Sequence, residues 1–473
     1  MTDADVPLCV DLDGTLIHSD LTVESILALL RRNPLYLFVM PLWLASGLAR
    51  FKREVARRVE IDVTRLPYDA RVLDWLRSAG AGRTRVLCTA SDQVFADAVA
   101  AHLGCFEEAL GSDGRRNLGG HGKAAMLRER FGDRSFDYAG NARVDLHVWR
   151  EARQVIVANA PAALARRVRR ELEIDREFPP RPRGWRTWLT ALRPHQWLKN
   201  TLVFVPLLAA HAVFEEAALA HALLAFAAFS LCASAAYVLN DLLDLDADRR
   251  HPRKRNRPFA SGGLPLRGGL AASLVLTTAA FALATTLSLE FVGMLLAYAV
   301  LTLAYSLILK RIAMLDVVTL AGLYTIRILG GAVAVPVPAS SWLLAFSMFL
   351  FLSLAMVKRH AELRPLAASG SVAVAGRGYV ADDLPLVQSL GTASGYLSVL
   401  VLALYINSAA SLALYAHPAV LWLLAPVLLY WISRVWLLAG RGAMHDDPVV
   451  FALTDRVSLA VLAVFALVIW LAI

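Results

Sequence analysis

Hydrophobic residues are unevenly distributed along the 473 residues of this chain. Up to about residue 160, short apolar runs alternate with polar stretches of helical character, which predicts an α/β Rossmann-like domain with a parallel sheet. From Leu198 onward, apolar stretches recur at lengths that can cross a bilayer, which predicts an all-α membrane domain. The sequence thus predicts two parts of different character.

The membrane part is predicted to contain nine transmembrane helices. Their approximate residues are 198–214, 217–240, 269–287, 290–309, 315–333, 340–357, 389–409, 417–437 and 450–473. Lys and Arg occur in the loops after the even-numbered spans, whereas the opposite loops contain neither residue. Because positive loops stay on the cytoplasmic side, the N-terminal domain is predicted to be cytosolic and the protein to lie in a bacterial inner membrane.

Four short apolar runs in the N-terminal part predict buried strands. They are residues 7–10, 85–88, 136–139 and 154–158, and each ends in a polar or glycine-containing turn. In open parallel sheets, ligands bind beyond the carboxyl ends of the strands. Asp11, Thr89 and Gly140 follow three of these runs, so the three strand ends are expected to share one site.

Composition along the chain sets the expected domain boundaries. We predict an α/β domain at 1–165, a linker rich in Arg and Pro at 166–189, and a membrane domain at 190–473. Residues 34–48 are unusually apolar for a soluble insertion, yet they are too few to span a bilayer and include Pro41. We expect this segment to be either a surface-lying or re-entrant helical pair, or a small buried cap.

The overall composition excludes a single soluble globular enzyme, because 57% of the residues are hydrophobic and only 18% are charged. The formal net charge of +9 fits Lys and Arg in cytoplasmic loops, so no nucleic acid partner is predicted. The four cysteines form no C-x-x-C pair, which disfavours a disulfide framework or a thiolate metal site. Acidic residues near Met1 also predict that no signal peptide opens the sequence.

Residues 240–260, NDLLDLDADRRHPRKRNRPFA, carry the most informative cluster of charges. If the second predicted span continues as a helix, Asp241, Asp244 and Asp248 lie on one face. Carboxylates so placed repel each other and lose hydration at a membrane boundary, so a cation such as Mg²⁺ is expected among them. The Lys and Arg residues that follow would bind phosphates. The alternative is a solvated, internally paired loop, which suits Asp246 and the arginines after it.

Further polar residues near the predicted cytosolic ends of the spans are candidate substrate-binding groups. They are Arg193, Lys199, Tyr305, Lys310, Asp316, Arg327 and Lys358. Arg327 lies within an apolar span, where an anionic ligand or an acidic partner is expected to stabilise it. For Lys310 and Arg311, the alternative is a role in topology and lipid headgroup contact alone.

Three of these motifs together resemble the UbiA-type intramembrane prenyltransferase superfamily. The motifs are RPHQWLKN at 193–200, NDxxDxxxD followed by HPxKRxRP at 240–258, and YSxxLKR with a downstream aspartate at 305–316. The resemblance covers about residues 190–473 and implies a nine-helix bundle with Mg²⁺ and diphosphate bound on the cytosolic side. It implies a metal and diphosphate site that is formed by Asn240, Asp241, Asp244 and Asp248. Asp244 and Asp248 would be its catalytic carboxylates. The residues that would complete the pocket are Lys254, Arg257, Tyr305, Lys310 and Asp316.

Within this superfamily, the motifs look most like those of the decaprenyl-phosphate phosphoribosyltransferases. Aromatic prenyltransferases usually carry a second D-x-x-x-D motif, whereas Asp316 has no acidic residue four positions later. The resemblance therefore implies phosphoribosyl pyrophosphate as the donor and a polyprenyl phosphate as the acceptor. In that chemistry, Mg²⁺ on the aspartates neutralises the departing pyrophosphate while a polyprenyl phosphate oxygen attacks ribose C1.

The N-terminal part resembles the haloacid-dehalogenase-like hydrolases over about residues 6–160. The resemblance rests on D-x-D-G-T-L at 11–16, followed in order by Thr89, Lys123 and Asp145. It implies that Asp11 is the nucleophile that accepts a phosphoryl group and that Asp13 is the general acid and base. Thr89 and Lys123 would hold the phosphate.

The same resemblance implies a Mg²⁺ site in the N-terminal domain. Its ligands would be Asp11, Asp13, Asn141 and Asp145. Asn141 departs from the aspartate that is usual at this position of the fourth motif, and an amide oxygen binds Mg²⁺ more weakly than a carboxylate. The alternative is a degenerate domain that is retained for regulation or assembly.

Together, the two resemblances imply a bifunctional membrane enzyme with one Mg²⁺ site in each domain. The membrane domain would make polyprenyl-phosphoryl ribose 5-phosphate, and the cytosolic domain would remove the 5-phosphate. One alternative is a prenyltransferase that uses prenyl diphosphate and an aromatic acceptor, with a regulatory or degenerate hydrolase domain. Another is a transporter or lipid-binding protein, which would leave the aspartate motif unexplained. Membrane lipid is an expected partner, and a homo-oligomer is left open.

Overall fold

A six-stranded parallel sheet organises the N-terminal part of the computed structural model. The residues described are 6–79, 82–182, 184–338, 340–369, 377–444 and 447–473. The strands are β1 (Leu8–Val10), β2 (Arg85–Asp92), β3 (Glu108–Ser112), β4 (Asp137–Gly140), β5 (Val155–Ala158) and β6 (Ile174–Phe178). Their order across the sheet is β3-β2-β1-β4-β5-β6, and all neighbouring pairs are parallel. The four predicted strands are thus confirmed as β1, β2, β4 and β5.

The described residues of the N-terminal part also form nine α-helices. They are α1 (Leu21–Arg32), α2 (Tyr36–Ala45), α3 (Leu48–Ala56), α4 (Ala70–Ala79), α5 (Gln93–Leu103), α6 (His121–Phe131), α7 (Leu146–Trp149), α8 (Ala162–Glu171) and α9 (Trp185–Leu192). Short 3₁₀ helices lie at Val63–Arg65 and Arg143–Asp145. Leu8 and Val10 belong to one buried cluster and Cys9 to another, because successive strand residues point to opposite faces. The sheet therefore has an apolar core on each side.

The apolar segment that the sequence analysis placed at residues 34–48 forms α2 and leads into α3. Helix α2 contains no buried residue, and Phe38 and Leu42 are 75% and 70% exposed. In contrast, α3 buries Phe51 and Val55. The structure therefore disagrees with the buried-cap alternative and leaves the surface-lying and re-entrant alternatives as predictions.

The remainder of the chain is almost entirely helical. The α-helices are α10 (Val205–Ala209), α11 (Glu216–Leu243), α12 (Leu245–Arg250), α13 (Leu266–Thr285), α14 (Leu289–Leu307), α15 (Leu315–Ala334), α16 (Ser341–Ser369), α17 (Leu384–Ile406), α18 (Ala409–Leu414), α19 (Leu424–Arg441), α20 (Pro448–Thr454) and α21 (Arg456–Ala472). The 3₁₀ helices are Pro194–Phe204, Lys254–Asn256, Leu309–Arg311, Ala381–Asp383 and Pro418–Leu423. This composition matches the predicted all-α membrane part.

Seven helical stretches among the described residues are long and apolar enough to cross a membrane. They are Glu216–Leu243, Leu266–Thr285, Leu289–Leu307, Leu315–Ala334, Ser341–Ala367, Ala381–Ile406 and Pro418–Arg441. Helices α20 and α21 pass the same test together but are bent by 73°, which would make an eighth span. The chain is an integral membrane protein by this criterion.

The prediction of nine spans is not confirmed, because the first predicted span differs from the structure. At residues 198–214 the chain forms the end of the 3₁₀ helix Pro194–Phe204 and then the five-residue helix α10. Pro206 lacks a backbone N–H and lies in the first turn of α10, so it starts a new helix rather than continuing the preceding one. Hydropathy alone did not reveal this interruption.

The predicted linker at 166–189 is also corrected by the structure. Its first residues complete α8, and its central residues form β6, which pairs with β5 at the edge of the sheet. Two of the five β6 residues are exposed and its sequence, IDREF, is largely polar, which explains why no buried strand was predicted. The α/β part therefore extends beyond residue 165.

The chain forms two compact units. The first comprises Met1–Leu192 and Tyr237–Ser273, so the acidic segment belongs to the same unit as the sheet. The second comprises Arg193–Ala236 and Leu274–Ile473, and its largest core includes Val317, Phe351 and Trp431. The predicted membrane domain at 190–473 is thus divided between the two units.

Candidate functional site

Asp11 and Lys123 form a buried ion pair at the carboxyl edge of the sheet. Asp11 directly follows β1, and Lys123 lies in the first turn of α6. The Nζ atom of Lys123 is 2.6 Å from Asp11 Oδ1 and 2.8 Å from the hydroxyl of Tyr138. Thr15 donates a further hydrogen bond of 3.2 Å to Asp11 Oδ2. The carboxylate is thus held by an ammonium group and a hydroxyl group.

Asp13 is held next to this pair by three donors. The backbone N–H of Leu21 lies 2.7 Å from Oδ1, and the hydroxyl of Ser91 lies 2.7 Å from Oδ2. Thr89 in β2 donates to the same Oδ2 atom at 3.2 Å. The predicted neighbourhood of Asp11, Asp13 and Thr89 is therefore present, since the ends of adjacent parallel strands meet at one edge.

Asp145 and Asn141 approach the same edge from the loop after β4. Tyr138 donates to Asp145 Oδ1 at 2.8 Å, and the backbone N–H groups of Asn141 and Ala142 donate to Oδ2 at 3.0 and 2.8 Å. Lys123 Nζ is 4.0 Å from Asp145. Gly14 has a φ of 78°, and a Cβ there would lie 2.0 Å from the Asn141 amide nitrogen. Only glycine fits this close approach between the two loops.

Burial shifts the protonation behaviour of this site. It raises the pKa of Asp11 to about 6, although Lys123 opposes the shift. Burial likewise raises the pKa of Asp13 to about 7, with Asp20 and Asp11 adding to the effect. Burial lowers the pKa of Lys123, but the facing carboxylates outweigh it and bring the value to about 12. Asp13 is therefore suited to both donating and accepting a proton near neutral pH.

The acidic segment is interrupted at Asp244 rather than continuing as one helix. Asp241 lies in the last turn of α11, Asp244 lies in the break, and Asp248 lies in α12. The backbone N–H of Asp244 still donates to the carbonyl of Asn240 at 2.9 Å, and the N–H of Asp248 donates to the carbonyl of Asp244 at 2.8 Å. The helix-like spacing of the predicted motif is therefore largely preserved.

Arg257 bridges two carboxylates of this segment. Its Nη1 atom lies 3.1 Å from Asp241 Oδ1 and 2.7 and 3.0 Å from the two oxygens of Asp248. Asp241 is 2% exposed and Asp248 is 3% exposed. Burial raises the pKa of Asp248, while the guanidinium of Arg257 opposes this shift. A positive charge is thus accommodated between the two acids.

Other charges of the segment have partners within the first unit. Asp244 lies 3.2 Å from Arg31 of α1, and Arg249 pairs with Glu24 of the same helix. The alternative of internal pairing holds for Asp246, whose carboxylate lies 3.1 Å from Arg250 on the surface. Asn240 is half-buried and Lys254 is exposed.

The oxygen donors of both acidic groups suit Mg²⁺, which prefers carboxylate and amide oxygens. Among the residues that the structure describes, no three Asp, Glu, His or Cys side chains are grouped so as to hold an ion. In the acidic segment, a guanidinium already lies where a cation would bridge Asp241 and Asp248. The oxygen donors therefore suit the ion chemically, but among the described residues they are not arranged around a metal position, and Arg257 would have to move to admit an ion.

Asp316 is the centre of a buried charge cluster in the second unit. Its Oδ2 atom lies 2.8 Å from Arg359 Nε and 3.3 Å from Arg377 Nη1, and Tyr379 donates to Oδ1 at 2.7 Å. Arg377 also donates to the hydroxyl of Tyr305 at 3.2 Å. Arg359 and Arg377 also pair with Glu362, so two arginines face two carboxylates in this cluster, and Arg377 connects Asp316 to Tyr305.

Among the described residues, Arg327 has neutral partners rather than an acidic one, and the alternative of an anionic ligand stays a prediction. Its Nε donates to the Asn200 side-chain oxygen at 2.8 Å, and its Nη2 donates to the Tyr298 hydroxyl at 3.0 Å. It also donates to the carbonyl of Leu323 and lies over the Tyr298 ring. Neutral oxygens and an aromatic face therefore satisfy this buried guanidinium.

The remaining predicted residues of the second unit lie in different settings. Lys199 is buried and pairs with Asp447. Arg193 precedes the 3₁₀ helix with a φ of 52°, and Lys310 lies in the 3₁₀ helix Leu309–Arg311. Lys358 is half-buried in α16. The structure therefore pairs one of these cations with a carboxylate that the motifs did not identify.

An apolar cavity of about 490 Å³ lies within the second unit. Residues around it include Pro206, Ile328, Trp342, Tyr405, Leu421 and Phe465. Its volume and apolar lining are typical of pockets that bind small apolar ligands.

Several residues of these clusters were not identified from the sequence. They are Glu24, Arg31, Tyr138, Arg377, Tyr379 and Asp447. Tyr138 was detectable in principle, because it lies within a predicted strand two residues before Gly140. The others contact residues far away in the sequence, so no local pattern could identify them.

The chain is similar in sequence to several known proteins. Residues 201–454 match the sequence profile of the UbiA prenyltransferase family. The Sinorhizobium fredii protein y4nM is 37% identical over 460 residues, which covers 96% of this chain and 89% of that protein. The nodulation protein NoeC of Azorhizobium caulinodans is 38% identical over 284 residues, covering 59% of this chain and 91% of NoeC.

A third relative is the decaprenyl-phosphate phosphoribosyltransferase of Mycobacterium tuberculosis. It is 37% identical over 186 residues, covering 38% of this chain and 61% of that enzyme. The match is therefore limited to a part of both proteins.

Proposed function

Because the chain belongs to the UbiA prenyltransferase family, we propose that it is a transferase that moves a 5-phosphoribosyl group from phosphoribosyl pyrophosphate to a polyprenyl phosphate. The acidic segment supports this proposal most directly, since Asp241 and Asp248 are buried and already bridged by a cationic group. Similarity to a decaprenyl-phosphate phosphoribosyltransferase supports the choice of donor and acceptor. Nearby Lys and Arg residues suit a substrate pair that carries several phosphates.

The surroundings of Asp316 support a phosphoribosyl donor over a prenyl diphosphate donor. Arg359 and Arg377 compensate this carboxylate, and Tyr379 hydrogen-bonds to it. Residue 320, four positions after Asp316, is Leu rather than an acidic residue, so Asp316 does not begin a second D-x-x-x-D motif. The alternative, a prenyltransferase with an aromatic acceptor, would be expected to use such a motif.

The transfer requires one bond to break and one to form at ribose C1. The C1–oxygen bond to pyrophosphate breaks and its electron pair leaves with the pyrophosphate, while an oxygen of the polyprenyl phosphate bonds to C1. A bound Mg²⁺ would supply charge neutralisation at the leaving group. Asp241, Asp244 and Asp248 would hold it, and Arg257, once displaced from the carboxylates, would bind a pyrophosphate oxygen. The acceptor is already anionic, so no strong general base is required.

The N-terminal site supports a second activity, removal of the 5-phosphate from the lipid product. Asp11 would attack phosphorus, the bond from phosphorus to the ribose oxygen would break, and Asp13 would protonate that oxygen. Water would then hydrolyse the aspartyl phosphate, with Asp13 as base. Lys123 and Thr89 would hold phosphate oxygens, and Asn141 and Asp145 would complete a Mg²⁺ site with the two aspartates.

Membrane attachment would keep both activities close to their lipid substrate. We assign the protein to a bacterial inner membrane with the sheet on the cytosolic side, because Lys and Arg are concentrated in one set of loops. The exposed apolar helix α2 would lie in the interface of the bilayer.

Pyrophosphate release from the full-length protein tests the choice of donor. With Mg²⁺ and polyprenyl phosphate present, phosphoribosyl pyrophosphate should yield pyrophosphate at a steady rate. Release from a prenyl diphosphate with an aromatic acceptor, but not from phosphoribosyl pyrophosphate, would contradict the proposal. Asp246→Asn changes an exposed carboxylate of the same segment and should release pyrophosphate as the wild type does.

A further inference from the structure

Helix α1 holds the acidic segment through a buried ion pair within the first unit. The terminal nitrogens of Arg249 lie 2.8 and 2.6 Å from the two oxygens of Glu24. The Arg249 and Glu24 side chains are only 6% and 4% exposed. Arg249 Nε also donates to the carbonyl of Ala260 at 3.0 Å. A buried ion pair that is joined by two hydrogen bonds allows little change in the positions of its partners. The pair therefore fixes α12 relative to α1.

A second cation of α1 contacts the acidic motif itself. Arg31, in the last turn of α1, lies 3.2 Å from Asp244 Oδ1 and donates to the carbonyl of Leu243 at 3.4 Å. The Arg31 and Asp244 side chains are 29% and 17% exposed, so a ligand has access to them. A guanidinium carries five N–H donors, so Arg31 can bind a phosphate oxygen in addition to its present contacts.

The chain after the acidic motif is also fitted closely to the start of α1. Gly262 has a φ of 73°, and a Cβ there would lie 2.4 Å from the Cβ of His18. Arg267 lies 2.7 Å from Asp20, the residue that caps α1. The contacts of α1 with this segment therefore extend beyond a single ion pair.

We propose that α1 completes the diphosphate site of the acidic segment. Arg31 binds a phosphate of the donor substrate, and Glu24 is a positioning residue that acts through Arg249. The inference rests on the proposed function of the acidic segment in transfer. It gives residues of the sheet-bearing part a role in the transferase step, in addition to the hydrolysis assigned to Asp11.

Hydrogen–deuterium exchange of the full-length protein tests the positioning role. Glu24→Gln keeps the shape of the side chain but removes its charge, so exchange in residues 240–262 should accelerate by about tenfold through local opening. Strand β2 should exchange as in the wild type, which shows that the sheet remains folded. Glu54→Gln is the control, because Glu54 forms a more exposed pair with Arg58. Unchanged exchange in residues 240–262 would overturn the positioning role.

Binding of inorganic pyrophosphate in the presence of Mg²⁺ tests the role of Arg31. Calorimetry on the full-length protein should show about tenfold weaker binding for Arg31→Met, because one charge-assisted hydrogen bond is lost. Arg32→Met, at the exposed neighbouring position, should bind as the wild type does. In turnover assays, Arg31→Met should raise KM for the donor more than it lowers kcat.

These results separate the inference from the proposed function. A wild-type protein that binds no pyrophosphate would overturn the assignment of the acidic segment, and with it the role of Arg31. Equal pyrophosphate binding by the wild type and Arg31→Met would overturn the role of Arg31 alone.

Discussion

The guanidinium of Arg257 contacts both carboxylate oxygens of Asp248, at 2.7 and 3.0 Å, and also reaches Asp241. An arginine therefore lies where the family motif suggests a divalent cation. If the two cations compete for the same carboxylates, Mg²⁺ binding and the Arg257 contact are coupled. Release of Arg257 toward the pyrophosphate would then accompany loading of the site.

Replacement of Arg257 tests this competition. Arg257→Met leaves two buried carboxylates without their shared cation, so the free energy of unfolding should fall by ~1–3 kcal/mol without Mg²⁺. Adding MgCl₂ should raise the thermal unfolding midpoint of this variant more than that of the wild type. Arg253→Met, at an exposed position of the same segment, is the control. An equal Mg²⁺ response in the wild type and Arg257→Met would contradict the competition.

Replacement of Asp11 tests the hydrolase step. Asp11→Asn removes the attacking carboxylate but leaves the acidic segment unchanged, so the lipid product should accumulate with its 5-phosphate. Wild-type protein should convert the same product to the dephosphorylated form, as mass spectrometry of the lipid extract would show. The matched control is Asp97→Asn, an exposed carboxylate of α5. Equal dephosphorylation by Asp11→Asn would exclude this nucleophile.

The cluster around Asp316 is expected to act as one unit. Asp316→Asn and Arg359→Met each remove one partner of a buried pair and should each destabilise the protein. The double variant should lose less than the sum of the two, with a coupling energy of ~0.5–3 kcal/mol. Thermal unfolding in detergent measures the stability of the wild type, the two single variants and the double variant. Additive losses would show that the 2.8 Å contact contributes no coupling.

Helix α2 is expected to enter the lipid interface. Phe38 is 75% exposed, and Arg58 lies 4.6 Å over the ring of Trp43, a pairing suited to the headgroup region. An environment-sensitive dye on Phe38→Cys should be quenched by brominated lipids in proteoliposomes. The same dye on Val94→Cys, at an exposed position of α5, should not be quenched. The four native cysteines are buried, which limits unwanted labelling. Equal quenching at both positions would contradict the interfacial placement.

The sequence predicted local features of the fold better than long-range ones. Apolar runs located β1, β2, β4 and β5, but the polar edge strand β6 looked like a linker because one side of it faces solvent. Hydropathy also placed a span over residues 198–214, where Pro206 separates two short helices. The spacing of hydrophobic residues and the local composition indicate which residues are buried, but they do not indicate sheet edges or helix interruptions.

In the candidate site, too, local features could be predicted from the sequence but long-range contacts could not. Asp11, Thr89 and Lys123 could be brought together from the sequence, because strand ends of a parallel sheet meet at one edge. The contact of Arg31 with Asp244 could not be predicted from the sequence, because the two residues are far apart in the chain. Leu243, which precedes Asp244 and whose carbonyl Arg31 also contacts, is 212 positions after Arg31. The same holds for Asp316 and Arg377. Ion pairs between distant segments depend on tertiary packing and leave no periodic signal.

The central claim is the transfer of a phosphoribosyl group to a lipid phosphate. Its most direct test is to incubate the full-length protein with Mg²⁺, polyprenyl phosphate and phosphoribosyl pyrophosphate labelled in the ribose. We predict labelled ribose in the lipid extract, and a loss of about a hundredfold or more in Asp244→Asn. Label that stays in the aqueous phase with wild-type protein, or equal labelling of lipid by Asp244→Asn, would contradict the account.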